Sequence, residues 1–311
     1  MKKTWLCCLL ALAMVACGEP NTGDENLGGD EGNQTEQPEE KPTPEPEPEP
    51  TPEPEPEPEP ELAPAPNISK EVPPCSIKEF TNWKKCFDSS DVIGDFSGVC
   101  FNADKSGLIG VSNSGGTLWN INFDGTREST HFVKLEKDLE GVTVDPVSGT
   151  IYVCEEKENY VWRVFTEDGK WKARKVAQIN ANAYDSNSGL EAITYHDGYL
   201  YIGNQSPANL VIYSLEHEAV ALMYHATFIT ECFSDLWFDT TNNTLWAVDA
   251  WSDNKEIVNF TIWGDFIARF KSNVPWIEGI CLDFENNKAW FACDSTGQLY
   301  SADIVRSEAA E

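Results

Sequence analysis

Asp138-Leu139-Glu140-Gly141-Val142-Thr143-Val144-Asp145 decides the fold, because four other stretches of the 311-residue chain repeat its pattern. They are Asp95-Phe96-Ser97-Gly98-Val99-Cys100-Phe101-Asn102, Gly189-Leu190-Glu191-Ala192-Ile193-Thr194-Tyr195, Cys232-Phe233-Ser234-Asp235-Leu236-Trp237-Phe238-Asp239 and Trp276-Ile277-Glu278-Gly279-Ile280-Cys281-Leu282-Asp283. Aligned on Ser97, Glu140, Glu191, Ser234 and Glu278, the copies step by 43, 51, 43 and 44 residues. A period of that length marks repeated supersecondary units.

Each copy opens an alternating or apolar run, passes a turn rich in Pro, Gly, Asn or Asp, and enters a second strand. These second strands are read over 107–111, 150–154, 199–203, 244–249 and 288–293. Third strands follow over 117–123, 160–165, 209–215, 256–262 and 298–304, and outer strands fit 130–135 and 173–179. Short strands at even spacing without an amphipathic helix indicate an all-β protein. Runs apolar on both faces, such as Leu245-Trp246-Ala247-Val248, need a sheet covered on both sides. Radially arranged four-stranded sheets provide that cover, so the expected architecture is a β-propeller of five blades. The fifth copy ends at its third strand, leaving no sequence for a sixth blade, and residues near 78–87 are expected to supply its outer strand and close the ring.

Composition divides the chain before the first repeat. Residues 1–17 carry Lys2 and Lys3, a short apolar run and small residues before Cys17, the pattern of a secretory signal. Met14-Val15-Ala16-Cys17 resembles a bacterial lipobox, which implies lipidation of Cys17 and a membrane anchor that does not span the bilayer. Residues 18–74 hold nearly all the spacer-type sequence: 16 of the 19 prolines and 17 acidic residues lie between Glu19 and Pro74. The alternating Pro/Glu tract at 42–60 suits a polyproline spacer of roughly 60 Å, or a disordered tether. The acidic residues after Cys17 resemble the export signals of Bacteroidetes surface lipoproteins, so outer-membrane and surface display is expected. The remaining 75–311 is the propeller domain. The net charge of −30 excludes a phosphate-backbone partner.

Seven cysteines follow Pro74. Cys75 and Cys86, flanking one short segment, are the pair most readily bridged. Cys100 and Cys281 occupy the same place in two repeats, as do Cys154 and Cys293, which reads as buried filling.

In a propeller the residues before each first strand, and those ending each second strand, meet at one mouth of the central channel. Glu140, Glu191 and Glu278 are therefore expected there with Ser97 and Ser234, joined by Asn113, Glu155, Asn204, Asp249 and Asp294. Such a ring of oxygens suits calcium, which takes six to eight; a residue repeated in every copy equally suits a scaffold role in which the glutamates cap strand starts. Trp251 and Tyr184, in loops on the same side, can stack on a sugar or hold a peptide. The four histidines fall in outer strands or hairpins, which leaves no imidazole base at the mouth.

The ordered series FSGVCFN, DLEGVTVD, GLEAITY, FSDLWFD and WIEGICLD resembles the SdiA-regulated protein family over roughly residues 79–304, which implies a small envelope propeller. Asp235 departs from it, standing where glycine is expected. A second resemblance, to calcium-dependent propellers of the gluconolactonase and paraoxonase type, implies metal roles for Glu140, Asn204 and Asp249. Two functions stay open. The first is a non-enzymatic, lipid-anchored protein binding a small molecule, glycan or protein at the mouth with Ser97, Asn113, Tyr184, Ser234 and Trp251. The second is a calcium-dependent hydrolase with Glu140, Glu191, Glu278, Asn204 and Asp249 on the metal.

Overall fold

The computed structural model describes residues 61–88, 92–129, 135, 138–180, 188–251 and 255–307. Among these, twenty strands form five four-stranded antiparallel sheets, the blades of a propeller. Blade 1 contains β2 (Phe96–Phe101), β3 (Leu108–Ser112), β4 (Thr117–Ile121) and β5 (Arg127–Ser129), from the inside outward. Blade 2 contains β6 (Leu139–Val144), β7 (Ile151–Glu155), β8 (Tyr160–Glu167) and β9 (Lys170–Gln178). Blade 3 follows with β10 (Leu190–His196), β11 (Tyr199–Asn204), β12 (Asn209–Ser214) and β13 (Ala219–His225). Blade 4 is β14 (Asp235–Asp239), β15 (Thr244–Asp249), β16 (Glu256–Thr261) and β17 (Phe266–Lys271). In blade 5, β18 (Ile277–Asp283), β19 (Lys288–Cys293) and β20 (Gln298–Arg306) are completed by β1 (Ile77–Lys85), first in sequence and last in space.

The expected closure is therefore present. β1 runs antiparallel to β20, with Phe80 opposite Ile304 and Lys85 opposite Tyr300. Trp83 stacks on Phe291 at 4.9 Å, and Phe80 meets Phe291 and Phe270 edge-on at 5.7 and 5.5 Å. Aromatic contacts of this kind add to burial in fixing the last strand.

Strand faces explain why the blades stack. β3, β12, β15 and β16 are buried along their whole length, as strands between two neighbouring sheets must be, whereas the outer β9 and β17 hold only half-buried and exposed residues. Consecutive inner strands also approach too closely for side chains at some positions. A Cβ on Gly98 would lie 2.6 Å from the carbonyl oxygen of Glu140, and one on Gly141 would lie 2.6 Å from that of Glu191. Threonines staple the ring: Thr143 Oγ1 accepts the Tyr195 N–H, and Thr194 Oγ1 accepts the Phe238 N–H.

The folded unit reaches back beyond Cys75. Residues 61–74 form a strap against blades 3 and 4. The Ala63 N–H bonds the Val220 carbonyl at 2.8 Å, Tyr199 Oη donates to Pro64 O, and Trp263 Nε1 donates to Ser69 O. Ala63 is buried and Ile68 packs on the core shared by those blades.

Cys75 and Cys86 are both free thiols, which corrects the expected bridge. They lie at opposite ends of the nine-residue β1, about 30 Å of extended chain at ~3.3 Å per residue, and a disulfide needs Cα atoms within about 7 Å. The other five, Cys100, Cys154, Cys232, Cys281 and Cys293, are free and buried within or beside the inner strands.

Candidate functional site

A β-bulge builds the site. In blades 1, 2, 3 and 5 the pairing of first and second strands slips at Ser97, Glu140, Glu191 and Glu278. A bulge inserts an unpaired residue and re-aims its side chain. Here it places those four residues around the channel mouth.

Glu140 is buried between Ser97, which hydrogen-bonds its carboxyl, and Asn113, whose Nδ2 donates to Oε1 at 3.2 Å. Asp138, Glu140 and Glu156 bring one carboxyl oxygen each to within 4.8 Å of one another. Glu191 hydrogen-bonds Glu156 and accepts from Gln205 Nε2 at 2.7 Å. Lys157 Nζ reaches Asp138 from the solvent side at 2.7 Å. Glu278 and Asp294 of blade 5 bring their carboxyl groups to the same mouth.

Three of the expected residues make local hydrogen bonds of their own. Asn204 Nδ2 donates to the carbonyls of Ser188 and Pro207, and its buried Oδ1 meets no donor among the described residues. Asp249 holds the preceding loop, accepting from Thr230 Oγ1 and the Glu231 and Cys232 N–H groups on Oδ2 and from the Trp251 N–H on Oδ1. Ser234 Oγ accepts the Ala250 N–H within blade 4. Trp251 is 51% exposed on the mouth side and is joined there by Trp276 at 47%. Lys255 links the two loops, donating to Ala250 O and lying 4.1 Å from the centre of the Trp276 ring. Tyr184 and Cys17 lie outside the described residues.

Glu156 and Gln205 were passed over in the sequence in favour of their neighbours Glu155 and Asn204. Side chains alternate along a strand, so a one-residue error in its end selects the wrong face. Glu155 instead accepts from Trp162 Nε1 at 2.8 Å.

Asp235 explains why blade 4 differs. Its pairing runs without a bulge, and the buried carboxylate crosses the channel axis to accept N–H groups from Ile280 at 2.9 Å and Leu236 at 2.8 Å, and from Val99 and Ile193. Four of the five inner strands thus converge on one side chain. The acidic mouth ends there.

A family model described as phytase-like, for the esterase-like activity of phytase, matches residues 92–211. That span holds Ser97, Asn113, Asp138, Glu140, Glu156, Glu191 and Gln205. Glutaminyl cyclase of Myxococcus xanthus is similar in structure, with a TM-score of 0.54 at 10% identity over 74% of this chain and 97% of that one. The likeness is one of fold. Nidogen in its laminin complex matches at a TM-score of 0.45 and 12% identity, over 66% of this chain and 78% of that one. A comparison with curated protein sequences returns no match.

Electrostatics set the state of the mouth. Burial raises Glu140 to about 8, against the pull of Ser97 and Asn113, with the charges of Glu156 and Asp138 adding to the rise. Glu156 is pushed up to about 7 by burial and by Asp138, and Glu278 to about 9 by burial and by Asp294. Glu191 is raised well above the usual range by burial and then by Glu140, Glu156 and Glu278. Like charges this close do not all ionise without a counter-cation. The buried oxygens Glu156 Oε1 and Gln205 Oε1 also meet no hydrogen-bond donor among the described residues. Acceptors without donors, beside crowded carboxyls, fit a divalent cation.

The sign of the pH dependence follows. These carboxyls bind protons more tightly folded than unfolded, so from about pH 4.5 upward the folded state holds more protons and stability falls as pH rises toward about 9. In chelator, the unfolding midpoint in urea should drop between pH 5 and pH 8.5. A midpoint that rises over this range would contradict the protonated cluster.

Proposed function

We propose that the protein is a divalent-cation-dependent hydrolase of esters or phosphoesters, with calcium as the cation. The observation that carries this reading is the cluster of Asp138, Glu140 and Glu156 oxygens, two of the three residues buried, beside unpaired acceptor oxygens. The phytase-like match over the blades that supply those residues supports it.

Asp138, Glu140 and Glu156 would hold the cation, with Glu191 and the Gln205 amide beside them. Such an ion polarises the carbonyl or phosphoryl oxygen of a bound ester. The chain's own groups do the rest. Ser97 and Asn113 fix the Glu140 carboxyl, and Gln205 fixes that of Glu191. Glu278, at the same mouth and raised by burial and by Asp294, would be the group that gives a proton to a leaving group. Trp251 and Trp276 offer apolar walls for the alcohol portion of the substrate.

A second reading, a binding protein that uses the same cation without turnover, is favoured by the histidines. His196 stacks on Phe238 at 4.0 Å, while His217 and His225 pair with Ser214 and Asn209. None of these three touches the cluster. Melting the full chain in calcium and in chelator, then assaying hydrolysis of aryl acetate, lactone and aryl phosphate, separates the readings. A calcium-raised melting temperature with calcium-dependent turnover supports the hydrolase. The melting shift without turnover supports binding, and no shift removes both.

We also infer that lipidated Cys17 holds the propeller at a bacterial outer membrane, as the lipobox-like MVAC and the resemblance to SdiA-regulated envelope proteins suggest. Labelled palmitate should enter the full chain in cells and fail to enter Cys17→Ser.

A further inference from the structure

The channel has a second mouth, closed off from the acidic one by Asp235. A cavity of about 170 Å³ opens there, lined by residues from all five blades. Phe101, Val144, Tyr195, Leu282 and Phe284 line it around Trp237, together with threonines such as Thr143 and Thr194.

Trp237 forms the floor for a reason visible in the strand. Side chains two apart on β14 share a face, so Trp237 follows Asp235 onto the axis. Trp237 packs against apolar clusters at the boundaries of blades 4 and 5, of blades 5 and 1, and of blades 1 and 2. It meets Phe101 edge-on, with centroids 5.6 Å apart. Trp237 is nevertheless only partly buried.

Acidic groups outnumber cations around this opening, where Lys105 lines the wall and Arg306 lies 5.0 Å from the centre of the Phe284 ring. Asp283 and Glu285 line it, and Asp239 and Asp145 cap the neighbouring inner hairpins. Asp283 is held in place by the N–H groups of Glu285 and Asn286. Lys105 is the cation on the wall and already lies 5.8 Å from the Phe101 ring. Aromatic faces attract cations through their quadrupole, and an apolar box with an anionic rim favours a ligand that is both apolar and positively charged.

We propose that this second mouth is a binding site for a small organic ammonium compound, its apolar part on Trp237 and its charge toward Asp283 and Glu285. The site is independent of the acidic cluster, because Asp235 and the inner strands it ties lie between them.

The test uses the full chain with its tryptophan indoles labelled with ¹⁵N, the Trp237 resonance being assigned with Trp237→Phe. Benzylamine, benzyl alcohol and phenylacetate are titrated as cationic, neutral and anionic probes of similar shape. Benzylamine should shift the Trp237 indole saturably, benzyl alcohol more weakly, and phenylacetate not at all. Glu285→Gln, at an exposed position that leaves the core intact, should weaken benzylamine about threefold, as expected for one partly screened charge. Glu140→Gln should leave the titration unchanged. Absence of a saturable shift with benzylamine, or equal affinity for all three probes, overturns the proposal.

Discussion

Replacing Asp235 with alanine should lower the unfolding free energy by about 3–5 kcal/mol, on the order of 1 kcal/mol for each of four buried backbone N–H groups left without an acceptor. The four N–H groups of Val99, Ile193, Leu236 and Ile280 would lose the acceptor they share. For a domain of this size each kcal/mol shifts the melting temperature by about 2–4 °C, so a fall of roughly 10 °C is expected. Burial pushes the Asp235 carboxyl well above the usual carboxylate range, and the four backbone donors offset only part of that rise. Asp235→Gly, which restores the glycine of the repeat pattern, should be no milder, since it supplies no acceptor and adds backbone freedom. Thermal unfolding of both variants decides the matter. A loss below about 1 kcal/mol in either would mean that the axial carboxylate does not tie the blades.

The second large effect changes sign with conditions. In calcium, Glu140→Gln or Glu156→Gln should weaken cation affinity by about 10²-fold, at the upper end of what loss of a supporting group costs a metal site. In chelator at pH 8 the same Glu140→Gln should stabilise the fold, because it removes a buried carboxyl whose proton is held to about 8. At pH 4.5 or below that gain should vanish, since the carboxyl is then protonated in both states. Calorimetric calcium titrations and urea melts on one protein preparation read both arms. A purely architectural glutamate predicts destabilisation in every buffer.

The fold was legible because its signal is periodic. The five copies implied five blades, the fifth closed by a strand from the other end of the repeats, and β1 on β20 fulfils this. The site was legible only in part, for a geometric reason. The bulge residues Ser97, Glu140, Glu191 and Glu278 could be found from the repeat, since a bulge recurs with its sequence. Asn113 was found and contacts Glu140. Glu156 and Gln205 were missed by one residue each, because pattern fixes a strand's middle better than its end. Asp249 carries the right chemistry, but the loop it secures claims both of its oxygens. Asp235 stood out as a break in the repeat, yet its partners on three other blades are 42–136 residues away and leave no local trace.

The strap over blades 3 and 4 has a mechanical consequence. A pull on the chain before residue 61 does not act first on β1, whose pairing with β20 is the seam of the ring. It acts on the Ala63 to Val220 bond and the Ser69 to Trp263 bond, which lie between that end and the seam. These contacts must be peeled away before force reaches the closing strand. The propeller thus carries its own strain relief, and its blades stay shut under tension until the strap has been stripped.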